Sequence, residues 1–194
     1  MTPEGWIEAA TDLLVDGGVD LLRVDVLAKR IGVTRGSFYW HFRDRDDLLS
    51  QVLRTWREKT TDEVTCHFAD TTADPAALVH ELVNLPFRGR SAIRAARVEL
   101  AIRDWARRDP MARQAVDEAD ATRLSYIAQC FTALGVGIPE ARARAGILYA
   151  YELGESLLAH QGTDTQKAAR SALLERLLLA EPASPKARRQ HTAE

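Results

Sequence analysis

Residues 24–42 read VDVLAKRIGVTRGSFYWHF. Val24, Leu27, Ala28 and Ile31 recur at i, i+3, i+4 and i+7, one apolar face of a short helix. Gly32 stands just past its end, where a left-handed residue stops a helix. Thr34 is placed to cap the next helix through its hydroxyl. Val33 and Phe38 have the spacing of a hydrophobic staple across that cap. The pattern is helix, short turn, helix, the arrangement whose second helix enters the DNA major groove.

The second helix has two unlike sides. Phe38 and Phe42 fall together and read as core, while Gly36 and Trp40 fall opposite, with Ser37 and Tyr39 on the flanks. An outward Trp and Tyr on a basic helix suit a nucleic-acid reader better than an ordinary helical hairpin. Gly36 permits close backbone approach, Ser37 and Tyr39 can donate to phosphate oxygens, and Arg35 adds charge at the helix start. Seven residues make a helix of ~10 Å, which fits a groove ~12 Å wide. Charge agrees. Residues 23–45 hold Arg23, Lys29, Arg30, Arg35, Arg43 and Arg45 against Asp25 and Asp44, whereas residues 1–22 hold five acidic residues and no basic one. A basic stretch in a chain of net charge −2 predicts a polyanion on one face only.

The run IGVTRGSFYWHFRDRDDLL, residues 31–49, resembles the DNA-binding signature of tetracycline-repressor (TetR) type regulators. The context upstream agrees: Ile7, Ala9, Ala10 and Leu13, then Gly18, Val24, Leu27 and Ala28. The resemblance covers about residues 5–56; beyond them only helical pattern and length are similar. It implies an all-α homodimer of about nine helices. An N-terminal three-helix helix-turn-helix domain would bind DNA, and a C-terminal helical domain would bind a ligand and dimerise. By motif position it implies phosphate contacts from Thr34, Tyr39, His41 and Arg45, and base-edge contacts from Arg35, Ser37 and Trp40. Arg23 departs from the pattern: it stands where these proteins usually carry a capping Thr, so a cap is lost and a phosphate-binding guanidinium gained.

The rest of the chain fits that frame. At 194 residues it makes one large domain or two small ones, and 46% apolar against 28% charged residues supports a real core. Helical spacing predicts helices over 3–16, 24–31, 35–41, 45–68, 75–85, 90–108, 110–134, 139–161 and 164–181. The expected division is a DNA-binding domain over 1–46, a ligand-binding and dimerisation domain over 47–181, and a disordered Pro-rich tail over 182–194. Cys66 and Cys130 lie far apart with no CxxC, which excludes a disulfide scaffold or zinc ribbon. The N-terminus does not read as a secretory signal, and no apolar run reaches 18 residues, so a cytoplasmic protein without a membrane span is expected.

Enzyme chemistry finds little support. No Glu lies three residues before a His, and Glu63 with His67 is one pair, short of a metal site. There is no GxSxG, P-loop or GxGxxG; Gly135-Val136-Gly137 reads as a turn, and Glu99 with Arg103 as a helix ion pair. No catalytic residue, metal or cofactor is therefore expected. Trp105, Tyr126, Phe131, Tyr149 and Tyr151 are candidates to line an effector pocket, with plain core packing as the rival for each. The effector is expected to be largely apolar, because the charged residues of 75–161 read as outward-facing. Gly146, Ala150 and Gly154 recur at four-residue spacing, and Ala169, Leu173, Leu177 and Ala180 form an apolar stripe. Paired across a two-fold axis, the two helices give a four-helix dimer interface; packing onto their own chain is the rival.

The reading is a ligand-responsive DNA-binding transcriptional regulator. It is expected to be a repressor that holds a palindromic operator as a homodimer and is released by a small molecule. The alternative is a helical carrier or enzyme of the same fold without DNA binding. A further possibility is a regulator that answers a protein, or redox state through Cys66 or Cys130.

Overall fold

The computed structural model describes residues 1–69, 74–158 and 161–180, without the side chains of 61–69. The tail expected over 182–194, and the side chains of Glu63, Cys66 and His67, lie outside the described residues. Within them there are nine α-helices and no strand: α1 (Pro3–Gly17), α2 (Val24–Arg30), α3 (Arg35–Phe38), α4 (Arg45–Ala69), α5 (Pro75–Asn84), α6 (Gly89–Ala106), α7 (Pro110–Ala133), α8 (Ile138–Leu157) and α9 (Asp164–Leu179). Two 3₁₀ turns, Val19–Leu21 and Leu85–Phe87, join α1 to α2 and α5 to α6.

Local chemistry sets the boundaries. Thr2 caps α1 by accepting the Gly5 amide at 3.3 Å, and Pro3 opens the helix where its missing N–H costs nothing. Asp109 does the same for α7, accepting the amides of Met111 and Ala112 ahead of Pro110. Thr163 and Gln166 form a reciprocal capping box on α9. Gly135 closes α7 with φ 84°, where the Val136 amide reaches back to the Phe131 carbonyl and the Gly135 amide to Thr132, the Schellman closure of a helix.

Two buried clusters organise the packing. The first joins Trp6, Ala10, Leu13 and Leu14 of α1, Leu27 of α2 and Phe38 of α3 to Leu48, Val52 and Trp56 of α4. It continues into Ile102, Trp105, Val116 and Ala119 of α6 and α7. The second joins Val79 and Leu82 of α5, Ile127 and Phe131 of α7, Ala145 and Leu148 of α8, and Leu178 of α9. Each large apolar side chain fully buried in this way contributes ~1.5–3 kcal/mol. Helix α7 belongs to both clusters, and the first runs without a break across residue 46. The head therefore stands on α4, α6 and α7 and shares its core with them.

Ion pairs fix the remaining faces. The acidic side of α1 meets arginines: Asp16 takes Arg30 at 2.8 Å, Asp12 takes Arg94 of α6 at 2.7 Å, and Glu8 lies 3.5 Å from the same Arg94. Arg144 of α8 donates to the carbonyls of Leu178 and Ala180, closing the end of α9. At the other end of that hairpin, Glu155 accepts two hydrogen bonds from Arg170, each 2.7 Å.

Candidate nucleic-acid interface

The turn between α2 and α3 is built as its sequence predicts. Gly32 has φ 70°. The Val33 amide reaches the Ala28 carbonyl at 2.9 Å and the Gly32 amide reaches Lys29 at 3.3 Å, a second Schellman closure. Val33 is half-buried against the head core. Helix α3 proper covers Arg35–Phe38, shorter than the expected 35–41; a further turn follows, in which the amides of His41 and Phe42 both reach the Phe38 carbonyl.

The two sides of this element separate sharply. Phe38 is 0% exposed, edge-on to Trp6 at 5.3 Å and stacked on Phe42 at 5.2 Å. Trp40 is 86% exposed and Tyr39 57%. Arg35, Gly36 and Thr34 are exposed beside them, and Ser37 and His41 are half-buried. The buried phenylalanines hold the element rigidly while its outer side has no neighbour to satisfy.

Two local expectations are corrected. The Thr34 hydroxyl makes no capping bond, although its backbone has the extended capping geometry; instead Ser37 Oγ donates to the Thr34 carbonyl at 2.9 Å. The Thr34 hydroxyl thus remains on the open face. Arg45 is the larger correction. Its Nε donates to the Leu22 carbonyl at 2.7 Å and its Nη2 to Val19 at 2.8 Å. The guanidinium closes the 3₁₀ turn onto α4, so it is committed within the fold. No local spacing signals this, because the partners stand more than twenty residues away.

The other basic residues divide. Arg23, at the start of α2, makes no cap and pairs loosely with Asp25 at 3.4 Å. Arg30 is held by Asp16 and Arg43 by Asp47. Lys29 and Arg35 carry no ion pair among the described residues. Exposed pairs of this kind exchange readily for phosphate.

The body does not gather the five aromatic candidates round one cavity. Trp105 belongs to the head core and walls an open cleft of about 500 Å³ with Val19, Asp20, Arg45, Leu49 and Met111. Phe131 is wholly buried in the second cluster, with Tyr126 and Tyr151 half-buried against it. Tyr149 is the centre of a polar network. Its hydroxyl donates to Asp120 at 2.7 Å and accepts from Arg103 at 2.7 Å and Arg123 at 2.8 Å. Glu99 accepts from Arg103 at 2.7 Å and from both terminal nitrogens of Arg123 at 3.1 Å. Despite the cost of burial, the Arg103 and Tyr149 contacts hold the Asp120 carboxyl below its ordinary range. The expected Glu99–Arg103 helix pair is present, as one edge of this larger network. The premise of an apolar effector fails here: Glu99, Arg103, Asp120, Arg123 and Glu152 face inward. Cys130 is a free, buried thiol whose pKa burial pushes up, so its thiolate is disfavoured.

On the outer side of α8, Gly146 and Gly154 are half-buried and a Cβ at either would meet nothing within 4 Å. Ala150 between them is exposed, as are Ile147 and Leu157, and on α9 Leu173 and Leu177. The five interface candidates are therefore exposed or half-buried on α8 and α9 among the described residues.

The geometry defines a helix-turn-helix protein with a helical body. Residues 7–52 match the family of bacterial regulatory proteins described as the tetR family. The regulator AcrR of Shigella flexneri is 32% identical over 85 residues, which cover 42% of this chain and 38% of that protein. The class A tetracycline repressor of transposon 1721 from Escherichia coli is 47% identical over 52 residues, covering 27% of this chain and 24% of that one. These alignments span well under half of the curated relatives. A transcriptional regulator from Rhodococcus sp. Rha1 has the same fold, with a TM-score of 0.72 over 92% of this chain and 94% of its own, at 24% identity. Over residues 7–52 the chain is thus similar to the DNA-binding region of the tetR family. No helix among the described residues is long and apolar enough to cross a membrane.

Proposed function

We propose that this chain is a ligand-responsive repressor. It grips a palindromic DNA operator as a homodimer through residues 1–46 and is released when residues 47–181 bind a small molecule. It would work in the cytoplasm, where the DNA lies. The observation that carries this is the outer side of the 35–41 element: Trp40 and Tyr39 stand in solvent while Phe38 and Phe42 anchor the same turn in the core. Solvent-facing aromatics on a rigid basic element gain their use on a ligand with bases and phosphates. Thr34, Arg35, Gly36, Ser37 and His41 share that side, and Arg23 lies at the start of the preceding helix. The uncovered surface of α8 and α9 supports the two-fold partner. The shared core of α4, α6 and α7 gives ligand binding in the body a mechanical route to the head.

Fluorescence anisotropy on DNA tests it. Tyr39→Phe removes one hydroxyl, so affinity should fall alike on operator and scrambled sequence. Trp40→Ala should relax preference at one base step per half-site by ~1–3 kcal/mol. Binding that is absent from both the gene's own promoter and random DNA at low salt would return the chain to the carrier reading.

A further inference from the structure

Helix α8 carries a stripe at i, i+4, i+7 and i+11: Ala141, Ala145 and Leu148, each at most 1% exposed, and then the half-buried Glu152. A carboxylate on the apolar stripe of a core helix is costly unless something answers its charge. The neighbouring acids are all answered. Glu99 has Arg103 and Arg123, Asp120 has Arg103 and Tyr149, and Glu155 has Arg170. Glu152 is not. Its Oε1 is shut off from solvent and accepts no hydrogen bond. The charges that act on it are Arg123 on α7, already bidentate to Glu99, and Glu99 itself on α6, which repels it.

Arg103 and Arg123 are matched by Glu99 and Asp120, so an ionised Glu152 leaves the network one negative charge in excess. An added anion would have to break satisfied pairs. A single added cation completes them. The network also borders solvent: the side chains of Arg103 and Asp120 keep 21% and 24% of their surface. No group of three acidic, His or Cys side chains suited to a metal exists among the described residues, which favours an organic cation.

We infer that Glu152 is the anchor of the effector site, where its carboxylate pairs with the cationic amine of a small, otherwise apolar ligand held between α6, α7 and α8. This rests on the reading of the body as an effector domain and names the ligand class that domain takes. It also gives binding a proton count. The unanswered carboxyl holds its proton up to about pH 8. An ammonium group displaces that proton, so near pH 7 each amine bound releases close to one proton to the buffer.

Three matched probes test it on the full chain: 4-phenylbutylamine, 4-phenylbutan-1-ol and 4-phenylbutyrate. Calorimetry at pH 7 in two buffers of different ionisation enthalpy reads affinity and proton release together. The amine should bind about ten-fold or more tightly than the alcohol, with the carboxylate weakest, and only the amine should release a proton. Glu152→Gln should abolish the amine's advantage and its proton release while the alcohol binds as before. Glu152→Asp, checked for helicity and assembly like the Gln variant, should restore part of both. Equal binding of amine and alcohol, proton release that survives Glu152→Gln, or no amine binding at millimolar concentration each overturns the site. Amine binding that leaves DNA affinity unchanged would instead overturn ligand control of the head and leave the Glu152 site standing.

Discussion

Arg45 shows how one side chain changes meaning when its partners are seen. In the motif it sits where a phosphate contact is implied, yet its guanidinium serves the carbonyls of Leu22 and Val19. The two assignments predict different losses. As a closing contact, Arg45→Ala removes charge-assisted hydrogen bonds and should lower unfolding stability by about 1–3 kcal/mol, leaving the salt slope of DNA binding where it was. A phosphate contact would make that slope shallower by roughly 1 per subunit. Denaturant titration beside anisotropy at several salt concentrations separates them. Glu152 offers a test of the opposite kind, with pH as the variable. Its carboxyl keeps its proton up to about pH 8 in the fold, while in the unfolded chain it loses it near 4.5. The folded state therefore binds the extra proton across that window, and stability should fall as pH rises from about 4.5 to 8. Glu152→Gln, which is always neutral, should remove that part of the slope and leave the protein more stable than wild type at pH 9. Denaturation midpoints at pH 6 and 9 check it, and a wild-type slope unchanged in the variant would place the proton elsewhere.

At the scale of elements, the helices were legible wherever a cap is a local signal. Gly18, Gly32, Asp74-Pro75 and Asp109-Pro110 act within a few residues of themselves, and the helix ends fall beside them. What local signals lack is the partner. The network of Glu99, Arg103, Asp120, Arg123 and Tyr149 joins α6, α7 and α8 across up to 46 positions, and periodicity cannot say that such charges face inward. The outer aromatic side of α3 was legible for the converse reason: Phe38, Phe42, Tyr39 and Trp40 declare their sides by helical angle alone. The turn that aims this element rests on Gly32. With φ at 70° and open space where a Cβ would stand, an Ala there meets no clash and costs only backbone conformation. Gly32→Ala should therefore destabilise the head by ~1–2 kcal/mol, and Asn, which tolerates the left-handed region, by less. Thermal unfolding followed by tryptophan fluorescence, to which the buried Trp6 of the head contributes, measures this. Equal losses for Ala and Asn would point to packing as the cause.

The described residues leave apolar side chains of α8 and α9 uncovered, and a second copy of the chain can cover them. Ile147, Leu157, Leu173 and Leu177 are each about half or more exposed, a patch that costs solubility in a lone monomer. Near them, a Cβ added at Gly146 or Gly154 would meet no described atom within 4 Å beyond its own helix backbone and chain neighbours. Small residues left open in this way let a second backbone come close, and a two-fold axis brings the same surface back onto itself. Gly154→Arg is the discriminating variant. Its side chain extends into empty space in the single chain, so the fold and its helicity should survive. In a dimer it would bury an unpaired charge at the closest helix contact, at a cost of several kcal/mol. Sedimentation at micromolar concentration should show dimer for the wild type and monomer for the variant, with circular dichroism unchanged. The monomer should also lose half-site cooperativity on DNA, because one head reaches one major groove. A variant that remains dimeric would move the interface off α8, and a wild type that sediments as monomer would remove the two-fold arrangement on which the palindromic operator depends.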